Sequence, residues 1–276
     1  MSRNALKNIF RMIENTQNDA PVEQQFLADL ERSIEMQAVK DSRPPSQAYK
    51  PSSMNCIRNM YFQIIGAEQD YSESQYTLVG ICNSGSDIHQ RIQQSVIDMV
   101  TNGMDCEYIN VANYVRSREL THLNIVKEPD FEHGDYETKL FDTSRTVSFL
   151  CDGIIKYKSK YYILELKTES TSKFMDRKGV DPKHYMQGTA YSTMLGIDEV
   201  IFVYINRDVL SMKSFLFVPT DEQKADFEGR ILTCDTYVKQ NQVPPMPDNS
   251  GPKLCNYCNY KAVCKMSGNS VIPPLI

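Results

Sequence analysis

The stretch LCDGIIKYKSKYYILELKTES, residues 150–170, places three of its charged side chains beside apolar residues in two runs that are rich in β-branched and aromatic residues, as buried β-strands are. Asp152 interrupts the first run, and Glu165 and Lys167 interrupt the second. A charged group in such a strand costs free energy unless it is paired or binds a metal ion. A chain with this stretch must therefore fold so that all three groups find partners.

The spacing within the stretch predicts where the three side chains lie. Residues two apart share one face of a strand, so Glu165 and Lys167 point the same way. A two-residue turn at Lys158–Ser159 would place Asp152 directly opposite Glu165, and cross-strand partners share a face. Lys-Ser is an unfavourable pair for this turn, which prefers Asn-Gly or Asp-Gly. The sequence nevertheless predicts one cluster of Asp152, Glu165 and Lys167.

Two adjacent carboxylates repel each other and favour a cation between them. Hard ions such as Mg²⁺ or Mn²⁺ prefer carboxylate oxygens and retained waters, and a bound ion can polarise a phosphate and orient water. The lysine could position or deprotonate that water. The hairpin alone leaves a second interpretation open, in which Asp152 is a surface residue and Glu165 and Lys167 form an ordinary ion pair.

Hydrophobic periodicity and turn residues place helices and further strands around this hairpin. The order is typical of an α/β protein with a mixed sheet flanked by helices. We expect an N-terminal helical segment over 1–40, a Pro- and Ser-rich linker over 41–53 and a main domain over 54–276. The predicted helices are 3–14, 21–39, 84–101 (with Ser84 and Asp87 at capping-box spacing), 182–195 and one after Asp221, and the predicted strands lie within 106–168 and at 199–206 and 212–219.

Composition narrows the class of protein. No apolar run is long enough to span a membrane, and the N-terminal residues lack the apolar stretch of a signal peptide. We therefore expect a soluble, cytoplasmic protein without a membrane partner. The net charge of −5 neither indicates nor excludes nucleic acid, because binding depends on local basic patches. No G-x-x-x-x-G-K-S/T phosphate loop occurs, so we expect any helicase to be a separate protein.

Short motifs outside the hairpin give it a context. Their order and spacing resemble the PD-(D/E)XK nuclease superfamily, specifically its RecB-like branch, over about residues 52–264. The usual proline before the aspartate is Cys151 here, at a position that varies in this branch. The ordered motifs are G-x-x-x-H (Gly85 to His89), the Asp152 strand, E-x-K (Glu165 to Lys167) and Q-x-x-x-Y (Gln187 to Tyr191).

The resemblance implies a restriction-endonuclease-like fold and a Mg²⁺- or Mn²⁺-dependent deoxyribonuclease. It also implies an exonuclease that acts on single-stranded DNA or DNA ends. Recombination, repair, CRISPR adaptation and viral DNA processing all fit, in a prokaryotic or virus-infected cell. The implied roles are metal binding by His89, Asp152, Glu165 and the backbone carbonyl of Leu166, positioning or activation of water by Lys167, and arrangement of the site and the DNA strand by Gln187 and Tyr191.

Three of the eight cysteines form a C-x₂-C-x₅-C pattern near the end of the chain, and Cys56 offers a fourth thiol. Zinc also takes four thiolates, although zinc sites more often pair two C-x₂-C motifs. The pattern resembles the staple of RecB-like nucleases, including AddB and CRISPR-associated exonucleases, in which four cysteines hold a 4Fe–4S cluster. That resemblance implies a cluster on Cys56, Cys255, Cys258 and Cys264 that ties the chain end to the main domain.

Basic residues near these motifs are candidate DNA-phosphate contacts, with a solvated loop as the alternative for the densest stretch, 173–183. Two rival functions stay open. One is a noncatalytic DNA-binding or assembly module on a nuclease fold, and the other is a zinc-stabilised adaptor. The candidate contacts are Arg58, Arg91, Lys173, Arg177, Lys178 and Lys183.

Overall fold

The strands of the described chain form two β-sheets. The computed structural model describes residues 21–40, 47–70, 76–246, 255 and 258–268. The strands are β1 (Cys106–Ile109), β2 (Leu123–Lys127), β3 (Thr138–Asp142), β4 (Val147–Cys151), β5 (Gly153–Tyr157), β6 (Lys160–Glu169), β7 (Val200–Asn206) and β8 (Met212–Phe217). The larger sheet has the strand order β1-β5-β6-β7-β8, with β6 and β7 parallel and the other neighbours antiparallel. The smaller sheet, β2-β3-β4, is antiparallel.

Helices flank the sheets, which confirms the predicted mixed sheet with flanking helices. The second, three-stranded sheet was not predicted. None of the described helices combines the length and the apolar composition needed to cross a membrane. The helices are α1 (Val22–Lys40), α2 (Ile57–Ile64), α3 (Tyr76–Ile97), α4 (Val111–Ser117), α5 (Thr171–Asp176), α6 (Tyr185–Leu195), α7 (Asp221–Lys239) and α8 (Lys261–Ser267), with 3₁₀ turns at Pro51–Ser53, Phe131–His133 and Pro182–His184.

Contacts divide the chain into two units, one of Met1–Pro44 and Ser72–Asn83 and the other of Pro45–Tyr71 and Ser84–Ile276. The predicted linker, 41–53, extends into the larger unit. There Tyr49 is buried, pairs with Val147 of β4 and donates its hydroxyl hydrogen bond to Asp235. Residues 47–53 are therefore packed rather than a linker. The predicted helix over 3–14 lies outside the described residues.

The helix predicted to begin at residue 84 begins at Tyr76 and ends at Ile97. The chain between Tyr76 and Ser84 contains no proline, so nothing in it interrupts the helical hydrogen bonds. Ser84 and Asp87 consequently lie inside the helix, and the predicted N-terminal cap is wrong. Near the end of the chain, where no helix was predicted, the structure contains helix α8.

The helix predicted over 182–195 ends as predicted, but its first three residues form the 3₁₀ turn Pro182–His184. The side chain of Asp181 accepts a hydrogen bond from the backbone of Lys183, and α6 ends at Gly196 in the left-handed conformation, with φ of 66°. Helix α7 was predicted to follow Asp221, but Asp221 is its first residue and Thr220 is its N-cap. Thr220 and Gln223 form its capping box, in which each side chain bonds the other's backbone N–H.

The register of the β5–β6 hairpin agrees with the prediction. Gly153 pairs with Leu164 and Tyr157 with Lys160, which leaves Lys158 and Ser159 as the two-residue turn. Both turn residues are left-handed, with φ of 49° and 67°, as the favoured hairpin turn requires. Two non-glycine residues thus occupy a conformation that favours glycine or asparagine.

Strand β6 alternates between two parts of the core. Leu164 and Leu166 pack with the cluster that includes Ile88 and Ile92 of α3, whereas Ile163 packs with the cluster that includes α6. This alternation directs the intervening residues 165 and 167 toward α6. The predicted alternation of side chains along β6 therefore places Glu165 and Lys167 on the face that packs against α6.

The unfavourable turn gives a test of the hairpin. Replacing Lys158 by Asn and Ser159 by Gly should raise the free energy of unfolding by about 1 kcal/mol, because the left-handed conformation then costs less. Urea denaturation measures this change. Ser214→Gly, in the interior of β8, is the matched control and should lower stability by about 0.5–1 kcal/mol. A loss of stability in the turn variant would contradict the hairpin geometry.

Candidate metal centre

Asp152 lies between the last residue of β4 and the first residue of β5, where the chain passes from the smaller sheet into the larger one. Its backbone carbonyl accepts hydrogen bonds from Gln93 Nε2 at 2.7 Å and Tyr108 OH at 2.8 Å. Its side-chain Oδ2 accepts one from the backbone N–H of Leu166 at 2.7 Å. Both the main chain and the carboxylate of Asp152 are thereby fixed beside β6.

One face of α3 is directed at this junction. Gly85, His89 and Gln93 are four residues apart and therefore share that face. A Cβ on Gly85 would lie 3.2 Å from Thr168 Oγ1, so glycine lets the helix approach the end of β6 closely. His89 Nδ1 then lies 3.5 Å from Asp152 Oδ1. The G-x-x-x-H spacing thus has a packing reason as well as a chemical one.

Glu137 joins His89 and Asp152 in a group that sequence analysis missed. One ligand atom from each lies within 4.8 Å of the other two, and no other such group of His, Cys, Asp or Glu occurs among the described residues. Glu137 directly precedes β3, whose first residue pairs with Cys151. No local motif marks Glu137, because only this antiparallel pairing brings it beside Asp152. The three residues could hold a metal ion.

The predicted residues on β6 and α6 form a continuous hydrogen-bond chain. Glu165 Oε1 accepts from Lys167 Nζ at 2.5 Å and from Gln187 Nε2 at 2.7 Å. Lys167 Nζ also donates to Gln187 Oε1 at 3.0 Å. Gln187 Nε2 donates to the hydroxyl of Tyr191 at 3.0 Å, which in turn donates to the Leu150 carbonyl at 2.6 Å. The structure therefore brings these four side chains together.

The electrostatics of the centre favour a positive charge within it. Burial raises the pKa of Glu165 to about 7; the Lys167 ammonium acts in the opposite direction, and Asp152 adds to the rise. Burial also raises the pKa of Glu137, and Asp152 again contributes. Burial raises the pKa of Asp152, but His89 and Lys167 together lower it by more, so its pKa lies below the ordinary value. The second oxygen of Glu165, Oε2, is buried and has no hydrogen-bond partner in the described structure.

Tyr191 is buried, and its ring lies 5.1 Å from that of Phe149, centroid to centroid. Both hydrogen bonds of its hydroxyl stay within the protein. Tyr191 therefore positions Gln187, and through it Glu165. Its implied role in arranging the DNA strand stays a prediction.

Two of the arginines predicted to contact DNA phosphate bond to groups within the protein. Arg58 is 1 % exposed, and its guanidinium donates to the backbone carbonyls of Pro244, Cys264 and Gly268. Arg177 binds both carboxylate oxygens of Glu169 and contacts Asp181. Neither guanidinium is available to a strand. The other four predicted contacts are exposed, namely Arg91, Lys173, Lys178 and Lys183.

Two of the cysteines near the chain end, Cys258 and Cys264, lie near the segment that begins at Cys56. Burial raises the pKa of the Cys56 thiol, and Cys258 and Cys264 act in the same direction. Asn59 Nδ2 lies 3.3 Å from Cys258 Sγ, and Arg58 Nε lies 3.2 Å from Cys264 Sγ. No three of the four cysteine sulfurs, Cys255 included, lie within 4.8 Å of one another.

Comparisons with known proteins add little to this geometry. No protein-family profile matches the sequence, and no curated protein matches it significantly. Among solved structures, the chain is similar to SSO0001, with a TM-score of 0.45 and 15% identity over 86% of this chain and 96% of that one. It is also similar to LHK-Exo in complex with dAMP, with a TM-score of 0.41 and 12% identity over 70% and 89% of the two chains. Similarities this weak assign no function to the chain.

Glu137 provides a test of the metal centre. Glu137→Gln removes one anionic ligand and preserves its size, so Mn²⁺ binding should weaken by about 10–100-fold. Isothermal titration calorimetry measures the affinity. Glu132→Gln, an exposed neighbour on the preceding turn, should bind Mn²⁺ like the unmodified protein. Equal affinity in both variants would show that Glu137 is not a ligand.

Proposed function

We propose that this chain is a metal-dependent nuclease that hydrolyses phosphodiester bonds in DNA. One observation carries the proposal. The Asp152 carboxylate groups with His89 and Glu137 as potential metal ligands, and it lies across the hairpin from Glu165, which is bonded to Lys167 and Gln187. A metal-ligand set beside a hydrogen-bonded lysine can polarise a phosphodiester and orient the attacking water.

The residues fit a divalent cation by the chemistry of their donor atoms. His89, Glu137 and Asp152 would hold it, with Glu165 Oε2 and the Leu166 carbonyl as further proposed ligands. The buried, unpartnered Oε2 supports this role for Glu165, since a buried carboxylate oxygen otherwise lacks compensation. When bound, the ion would polarise the phosphate and lower the pKa of water. Carboxylates suit Mg²⁺ and Mn²⁺, and the imidazole shifts the preference toward Mn²⁺.

Lys167 and Gln187 have different roles in this proposal. A lysine ammonium carries three N–H donors, and two of those on Lys167 bind Glu165 and Gln187. The third can donate to a phosphate oxygen or to the attacking water. The two N–H groups on Nε2 of Gln187 donate to Glu165 and to Tyr191, so neither is left for a substrate. Gln187 is therefore a positioning residue.

Cleavage of end-labelled DNA tests the proposed function. With Mn²⁺, Glu165→Gln and Lys167→Ala should each lower the cleavage rate by at least about 100-fold, because each removes a group that stabilises charge in the transition state. Lys160→Ala, at the exposed start of the same strand, should retain full activity. Single-stranded substrates and duplexes with free ends should be cleaved faster than closed circles. Absence of Mn²⁺-dependent cleavage would refute the nuclease and favour a noncatalytic DNA-binding module. Full activity in Glu165→Gln would refute the assigned site.

We also propose that Cys56, Cys255, Cys258 and Cys264 hold a 4Fe–4S cluster. Side chains close to Cys56 in the chain contact two of the other sulfurs, since Asn59 bonds Cys258 and Arg58 bonds Cys264, and this supports a shared centre. Arg58 donates hydrogen bonds to the backbone carbonyls of Cys264 and Gly268. These bonds hold the segment that contains Cys264 near Cys56.

Anaerobic purification tests the cluster. The unmodified protein should be brown, with broad visible absorption and bound iron, whereas Cys258→Ser should lose both because one ligand is missing. Cys82→Ser removes an exposed thiol elsewhere and should keep the colour. A colourless protein with stoichiometric zinc would replace the cluster by a zinc site.

A further inference from the structure

A small cavity of about 130 Å³ lies beside Lys167. It is formed where β6 ends, where α5 begins, and where β7 ends. Pockets that bury drug-sized ligands measure about 300–1,000 Å³, so this one is too small for a whole nucleotide. It has room for roughly four waters, or for one phosphate-sized anion. Its lining residues are Lys167, Thr168, Glu169, Ser170, Lys173, Lys183, His184, Tyr204 and Arg207.

The lining is predominantly cationic. Lys173, Lys183 and Arg207 contribute three positive charges, and Lys167 adds a fourth that is paired with Glu165 outside the lining. The one carboxylate in the lining, Glu169, has both oxygens bound by Arg177, at 3.1 and 2.7 Å. Its negative charge is therefore already compensated and does not oppose an anion in the cavity.

The cations keep much of their capacity to bind an anion. Lys183 lies 3.5 Å from Asp181, and Arg207 lies 4.0 Å from Asp208, both longer than a hydrogen bond. Lys173 forms no ion pair within the described structure. Exposed pairs at such distances contribute little, so a phosphate competes for these side chains at low cost.

His184 adds to the character of the cavity. Burial lowers its pKa to about 3, and Lys167 and Lys183 act in the same direction. Its Nδ1 is 2.9 Å from the hydroxyl of Tyr204, which also accepts the Asp181 N–H. The imidazole is therefore neutral and fixed, and the charge of the cavity comes from the lysines and Arg207.

We propose that this cavity binds a phosphate group of the DNA strand next to the phosphate that is cleaved. The inference rests on the proposed function. Lys167 lines the cavity and also bonds Glu165 in the metal centre, so a phosphate held here is adjacent to the reacting one. The group is either a terminal phosphate or an internal one of the backbone. Arg207, which sequence analysis did not select, becomes a determinant of substrate binding together with Lys173 and Lys183.

Binding of fluorescein-labelled single strands in EDTA tests the cavity without cleavage. The strands carry a 5′-phosphate, a 3′-phosphate or neither, and fluorescence anisotropy is followed against salt concentration. Arg207→Ala and Lys173→Ala should each weaken binding by about tenfold. Each should also reduce the slope of log K against log salt by about 0.7, since one phosphate contact is lost. Arg116→Ala and Lys239→Ala, on α4 and α7, are the matched controls.

The three strands distinguish the source of the phosphate. A preference for one phosphorylated end that disappears in Arg207→Ala assigns a terminal phosphate, and an equal loss on all strands assigns an internal one. Unchanged affinity and slope in both cavity variants, with native circular dichroism, would overturn the proposal. Absence of Mn²⁺-dependent cleavage alongside these binding losses would instead refute the nuclease and retain the cavity as a DNA-phosphate site.

Discussion

The hydrogen bond from the Leu166 N–H to Asp152 Oδ2, 2.7 Å long, joins the two sheets at the point where the chain crosses between them. Asp152 lies one residue beyond the last pair of each ladder, so it is beside Glu137 on one side and beside Glu165 on the other. Three carboxylates therefore meet at one junction. The bonds from Gln93 and Tyr108 to its carbonyl leave this junction no freedom to separate them.

This crowding of carboxylates gives the site its chemical character. His89 and Lys167 provide two nearby positive or potentially positive groups, yet the pKa values of Glu137 and Glu165 both stay raised. Burial would be less costly for these carboxylates with a divalent cation among them. The proposed nuclease chemistry uses the same arrangement that the junction imposes. Asp152 thus takes part both in the junction of the two sheets and in the proposed metal site.

Hydrogen bonds through buried side chains connect this centre to the rest of the larger unit. Tyr191 ties Gln187 to the carbonyl of Leu150, just before the junction, and so holds Glu165 from the side of α6. Farther away, Arg58 holds the last described helix through backbone carbonyls. Arginine at this position is structural, because a buried guanidinium with several acceptors satisfies its donors within the protein.

The sequence by itself determined the hairpin register, the face shared by Glu165 and Lys167, and the helix that carries Gln187 and Tyr191. These features depend on periodicity and on turn length, which act over a few residues. Only the tertiary structure decided that Glu137 and Gln93 reach Asp152, that Arg58 is buried, and that Arg207 lines a cavity. Such contacts depend on how distant strands and helices pair, and the spacing of neighbouring residues carries no information about that pairing.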